Sequence, residues 1–116
     1  MPGTRTKKMH DEYKKYQKTT FGPGVCVLCS KAKMIKTFKH WKIVVNLFPW
    51  DRIAKIQHMI IPKRHIVYGK LTSAEKQELE KIKLNYLNKK YDILAEATNR
   101  ILSIPSHYHL HLILLK

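Results

Sequence analysis

The chain has no apolar run approaching the ~18 residues that a membrane-spanning helix needs. Its first 20 residues contain no apolar stretch of the kind a secretion signal uses. These absences, with a mean hydropathy of −0.38, predict an intracellular, cytoplasmic protein without a membrane partner. Acidic residues are scarce: 8 Asp and Glu face 23 Lys and Arg, for a net charge of +15. That imbalance favours an anionic partner, whether nucleotide, nucleic acid or acidic surface. No arginine-rich stripe concentrates the charge, so a dedicated sequence-reading DNA module is not indicated. Cysteine is limited to Cys26 and Cys29. Their spacing is too close for a disulfide framework and points to metal or redox chemistry in a reducing compartment. There are no internal repeats, and 116 residues at 44% hydrophobic content suit one small domain.

What is present divides into an arm and a folded part. Residues 1–20 are polar and basic without a clear period, which predicts a flexible or weakly helical arm adding affinity for polyanions. The punctuation Phe21-Gly22-Pro23-Gly24 opens the domain proper, residues 21–116. Trp41 to Phe48 is β-branched and aromatic, so it predicts a strand that Pro49 stops. Ile56 to Pro62 predicts the next strand, with Trp50 to Lys55 as a hairpin-type connection. Thr72 and Glu75 form a capping-box pattern, and Leu79, Ile82, Tyr86 and Leu87 follow at helical spacing to about Lys90. Tyr91 to Ala97 allows either a continued helix, favoured by Ala and Glu, or a short strand in which Ile93, Ala95 and Ala97 alternate; the strand is the expectation, in part from the resemblance given below. Pro105 precedes a last strand that runs to the C-terminus. The expected class is α+β: an antiparallel sheet with one main helix packed on it.

That last strand carries the chemistry. In His107-Tyr108-His109-Leu110-His111-Leu112-Ile113 the imidazoles recur at every second residue. Strand alternation puts them on one face, taken here as exposed, and turns Tyr108, Leu110 and Leu112 into the core. Solvent faces are normally filled by Lys, Glu or Thr, so three imidazoles suggest something to grip. All three cannot share one ion, because they spread over ~13 Å at about 3.3 Å per residue. One can join a metal site completed from elsewhere. The others suit phosphate binding, or covalent catalysis in which imidazole attacks phosphorus.

The pattern resembles the histidine-triad (HIT) superfamily of nucleotide hydrolases and transferases, nearest its diadenosine-tetraphosphate phosphorylase/hydrolase-like branch. Asn46-Leu47-Phe48-Pro49-Trp50 resembles that branch's N-x-F-P-Y segment. His58-Met59-Ile60-Ile61-Pro62-Lys63-Arg64-His65 is similar to its G-H-x-x-x-x-P-x-R-H segment. Ile104-Pro105-Ser106-His107 is similar to the G-I-P-x-H that precedes the triad. The resemblance covers roughly residues 25–116. It implies a HIT-like fold and action at the α-phosphate of a dinucleoside polyphosphate or nucleoside phosphoramidate. His109 would be the nucleophile, His111 the α-phosphate contact, and His58 a member of the catalytic histidine network. Asn46 would bind ribose, and Ser103 and Ser106 are the candidates near the leaving group. Cys26, Cys29, His65 and His107 would hold structural zinc. Homodimers are common in the superfamily, which makes a second copy an expected partner. Gln57 stands where relatives carry Gly, and glycines usual before the triad are replaced by Asn99 to Ser103. Those departures keep a second reading open: a nucleotide- or nucleic-acid-binding protein on the same scaffold with little turnover.

Overall fold

The computed structural model describes residues 3–20, 26–30, 33–98, 100, 104 and 106–116. In chain order the elements are helix α1 (Lys7–Thr20), the single turn α2 (Val27–Ser30), and strands β1 (Met34–Thr37), β2 (Trp41–Val45) and β3 (Ala54–Pro62). Helix α3 (Ser73–Ile82), the short α4 (Asn88–Lys90), and strands β4 (Ile93–Ala95) and β5 (Leu110–Leu115) complete them. The five strands form one antiparallel sheet in the order β1-β2-β3-β5-β4. The class is the α+β architecture expected from the sequence. The edge strand β1 is the element that sequence reasoning passed over; its four residues are all exposed, so no alternation marks it.

Alternation divides the sheet's side chains. Trp41, Ile43, Ile60, Leu110 and Leu112 face the main helix and pack with Leu79, Ile82, Leu87 and Tyr91. Val44, Met59 and Ile61 face the other way, where Leu28 of α2 covers them. A π-helical turn over Lys83–Leu87 joins α3 to α4. The buried positions explain it. Ile82 and Leu87 are five residues apart, a step an α-helix would carry off the buried stripe; the wider turn returns Leu87 to it.

The predicted capping box is present. Thr72 Oγ1 accepts from the Glu75 amide, and the Glu75 carboxylate accepts from the Thr72 amide. The same carboxylate takes a two-pronged contact from Arg64, at 2.7 and 3.1 Å. Trp41 Nε1 donates to the Glu75 carbonyl at 2.9 Å. Glu75 thus ties the helix start to both β2 and the segment after β3. Among the described residues no helix is long and apolar enough to cross a membrane.

The N-terminal residues are more ordered than their composition implied. Residues 7–20 form α1, and its start is pinned to the domain. Thr6 donates through its amide and its hydroxyl to the two Asp51 carboxylate oxygens, at 2.7 and 2.8 Å. The Arg52 amide donates to the Thr4 carbonyl at 3.0 Å. Periodicity could not reveal these bonds, because they are made by backbone and short polar side chains across more than 40 residues.

Candidate active site and metal centre

β5 pairs with β3 in a register that sets Met59 opposite His111, and His58 opposite Leu112. Directly paired residues share a face. His107, His109 and His111 therefore lie on the α2 side, and Tyr108, Leu110 and Leu112 lie in the main core, as alternation predicted. The histidine face is not open, however. The three imidazole residues are only 1, 3 and 6% exposed; Cys29 of α2 lies against His107, and Trp50 of the loop after β2 against His111.

Each histidine has a defined role in the hydrogen-bond network. His109 Nδ1 lies 3.0 Å from the His107 carbonyl oxygen. A carbonyl only accepts, so Nδ1 carries the proton and Nε2 keeps its lone pair. Burial holds its pKa below the usual value, so the ring is neutral near pH 7. His111 has the opposite tautomer. The Trp50 amide donates to Gln57 Oε1 at 2.6 Å, which fixes the orientation of the Gln57 carboxamide. Gln57 Nε2 then donates to His111 Nδ1 at 2.9 Å, leaving the His111 proton on Nε2. Burial, then the nearby His109 and Arg5, push the His111 pKa down to about 3. The two rings meet edge to face at 5.2 Å, and the Trp50 indole lies 4.4 Å from the His111 ring. A lone-pair nitrogen and an N–H donor thus stand side by side in a largely dry site.

His107 serves a different group. Cys26, Cys29, His65 and His107 present ligand atoms that all lie within 4.8 Å of one another. Cys26 Sγ is 3.5 Å from His107 Nδ1, and Cys29 Sγ is 3.3 Å from His107 Nδ1 and 3.2 Å from His65 Nδ1. Tetrahedral zinc with bonds of about 2.3 Å to sulfur and about 2.05 Å to nitrogen sets sulfur and nitrogen ligands about 3.6 Å apart. The cluster fits a closed four-ligand metal site. The ring is held for that role: His107 Nε2 lies 3.0 Å from the Pro62 carbonyl, which orients Nδ1 toward the cluster. Partial desolvation, with the neighbouring Cys26, holds the Cys29 thiol up at about 11. A bound cation would reverse that and favour the thiolate.

The remaining candidates fall in different places. His58 sits on the opposite face from His109, away from the histidine network it was expected to join. Its Nδ1 is 2.7 Å from the Tyr91 hydroxyl. The residue that reaches the triad is its neighbour Gln57, since a one-residue step in a strand changes face. Asn46 follows β2, its amide donates to the Gln57 carbonyl at 3.3 Å, and alternation keeps it on the triad side. Its side-chain oxygen accepts from the Phe48 amide at 3.0 Å. Ser106 is exposed, and Ser103 lies outside the described residues. Gln57 and Trp50 contact His111 and were missed as functional residues. The signal for Gln57 was available: an amide replacing Gly inside a strand is a side chain that needs a partner.

No family model matches the chain, and no curated protein matches it. Among solved structures, it is similar to a HIT family hydrolase from Legionella pneumophila Philadelphia 1, with a TM-score of 0.53 and 19% sequence identity over 77% of this chain and 91% of that one. The fold is therefore HIT-like, with the histidine strand inside the sheet between β3 and β4.

Proposed function

We propose that the protein is a nucleotide hydrolase or nucleotidyl transferase that works through a covalent nucleotidyl-histidine. The observation that carries this is the pair of opposite tautomers. His109 Nε2 is held as a lone pair by the bond from Nδ1 to the His107 carbonyl, and His111 Nε2 is held as a donor by Gln57. His109 Nε2 attacks the α-phosphorus. The N–P bond forms as the bond from phosphorus to the leaving oxygen or nitrogen breaks, and the leaving group takes that electron pair. The ring becomes cationic, and the His107 carbonyl stabilises the Nδ1 proton. His111 Nε2–H donates to a phosphoryl oxygen, where charge develops. A water or acceptor oxygen then attacks phosphorus and returns the electron pair to His109 Nε2.

Cys26, Cys29, His65 and His107 would hold zinc in a structural role, tying the α2 turn to the triad strand. Asn46, on the triad side, is the candidate for ribose contact. The basic surface suits a phosphate-rich ligand, mononucleotide or nucleic acid. The HIT family hydrolase with the same fold supports the activity class. The test is turnover of dinucleoside polyphosphates and adenosine phosphoramidates, with intact-mass detection of an adduct on His109. His109→Ala should abolish turnover and keep nucleotide binding, because a nucleophile acts on the rate far more than on ground-state affinity. A wild-type protein that binds nucleotide but hydrolyses none of the panel would make it a binding protein on this scaffold.

A further inference from the structure

We infer that the side of the sheet turned away from the triad carries a platform for single-stranded nucleic acid, built from Lys36, Phe38, Tyr86 and Lys90. Lys36 pairs with Ile43, so it lies on the helix side of the sheet, opposite His109. Phe38 and Tyr86 are partly buried at the margin of the main core. Their rings meet edge to face, with centroids 5.7 Å apart. Lys36 Nζ stands 5.6 Å from the Phe38 centroid and 5.0 Å from that of Tyr86. Lys90, at the end of α4, sets its Nζ 5.2 Å from the Tyr86 centroid and donates to the Tyr86 hydroxyl at 3.0 Å. Two ammonium groups, one from an edge strand and one from a helix, thus converge on one phenol ring.

Among the described residues neither lysine forms an ion pair with a carboxylate. Glu78, the acid bonded to the turn between β1 and β2, is taken by the His40 amide at 2.7 Å. Exposed Lys33, Lys39 and Lys89 flank these residues in the chain and extend the positive charge. A surface of one sign repels itself and favours a polyanion. Lysines on an edge strand also discourage edge-to-edge pairing. That role accounts for Lys36, but it requires neither the rings nor Lys90 on the helix. The rings decide between polyanions. An acidic peptide would use the ammonium groups alone. A single strand uses both, since phosphates take the lysines and bases stack on the rings. A cation–π contact at an exposed site is weak, so the lysines leave the ring faces as phosphates arrive. The platform lies behind the triad and needs none of its chemistry.

Fluorescence anisotropy of a labelled single-stranded oligonucleotide, titrated with the full chain at several salt concentrations, tests this. The variants are Lys36→Gln/Lys90→Gln, Tyr86→Leu, and Lys7→Gln/Lys8→Gln, which removes the same charge from α1. Thermal melting controls for folding, and the exposed lysines decide the matter should Tyr86→Leu melt early. The platform double variant should lose about tenfold in affinity, and its salt slope should fall by about 1.4, two phosphate contacts at about 0.7 each. Tyr86→Leu should lose about fivefold with the slope unchanged, because stacking releases no counterions. The α1 variant should change little. An equal loss in the α1 variant would make the binding a general charge effect and overturn the inference. Full affinity in the platform double variant or in a folded Tyr86→Leu would overturn it too, as would a wild-type chain that does not bind. Polyglutamate that displaces the oligonucleotide at equal charge would assign the surface to acidic proteins instead, and the inference would fall.

Discussion

Gln57→Glu should invert the tautomer of His111. In the wild type, Gln57 Oε1 is taken by the Trp50 amide, so only the amide nitrogen faces His111 Nδ1. A carboxylate has no donor to offer there. One oxygen keeps the Trp50 amide, and the other requires His111 to carry a proton on Nδ1. Moving that proton leaves the ring neutral; the cost of charging the ring as well is set by the pKa of His111, which falls from the usual 6.5 to about 3. At about 1.4 kcal/mol per unit, that is about 5 kcal/mol. A carboxylate about 4 Å from the ring charge returns ~4 kcal/mol at an effective dielectric of about 20. The two nearly cancel, so the His111 pKa should recover by about three units, to near 6. Nitrogen-15 NMR of the imidazole reads both the tautomer and the titration. Turnover should fall, because near pH 7 the Nε2 proton proposed to meet the phosphate is largely lost to Nδ1. The reasoning is refuted if His111 in the variant stays unprotonated at Nδ1 down to pH 4. That result would mean the introduced carboxyl holds the proton itself, and that the site is drier than the dielectric assumed.

Purified protein should contain one zinc per chain, and Cys29→Ser should lose it with about 2–3 kcal/mol of stability, roughly 10–15 °C in melting temperature, because metal binding is also folding energy. A stable, metal-free wild type with unchanged melting in the variant would contradict the metal site. His58→Phe should leave turnover unchanged and cost about 1 kcal/mol through the lost Tyr91 bond; a large fall in rate would return His58 to the catalytic network. Glu75→Gln should flatten the acid side of the stability profile. The unfolded carboxyl takes its proton near 4.5 and the folded one only near 2, because Arg64 and Thr72 hold it ionised. The unfolded state therefore binds more protons between those values, and the stabilisation present above pH 4.5 is lost as pH falls toward 2. Melting temperatures that fall equally for both proteins across that window would exclude the contribution.

How much was legible in the sequence depends on the range of the interaction. The capping box spans three residues and was legible, as was the alternation that sends Tyr108, Leu110 and Leu112 into the core. The metal set was found by resemblance, because Cys26 and His107 meet across 81 residues. His58 and Gln57 mark the limit. A histidine was the more chemical of the two, and strand alternation alone gives the difference between neighbours but not which one faces the triad. The pairing with β5 decides that, and pairing is a long-range fact. The burial of the histidine face was equally hidden. It is produced by α2 and the loop at Trp50, neither of which belongs to the strand whose pattern was read.

His107 joins the two halves of the site. Its side chain offers Nδ1 to the cysteine cluster and Nε2 to the Pro62 carbonyl, so both ring nitrogens are committed away from the His109–His111 pair. Its backbone carbonyl is the acceptor that sets the His109 tautomer. The residue that joins the Cys26, Cys29 and His65 cluster therefore also holds the group that keeps the His109 lone pair at Nε2. His111 receives the complementary constraint from the other end, through Gln57 and the Trp50 amide. The alternation of three imidazoles in one strand gives each a separate anchor: a four-ligand cluster, a carbonyl and a carboxamide. A lone-pair nitrogen and an N–H donor on rings of opposite tautomer, centroids 5.2 Å apart, require that separation. If the anchors were shared, the rings would exchange protons with one another rather than hold one lone pair and one N–H side by side.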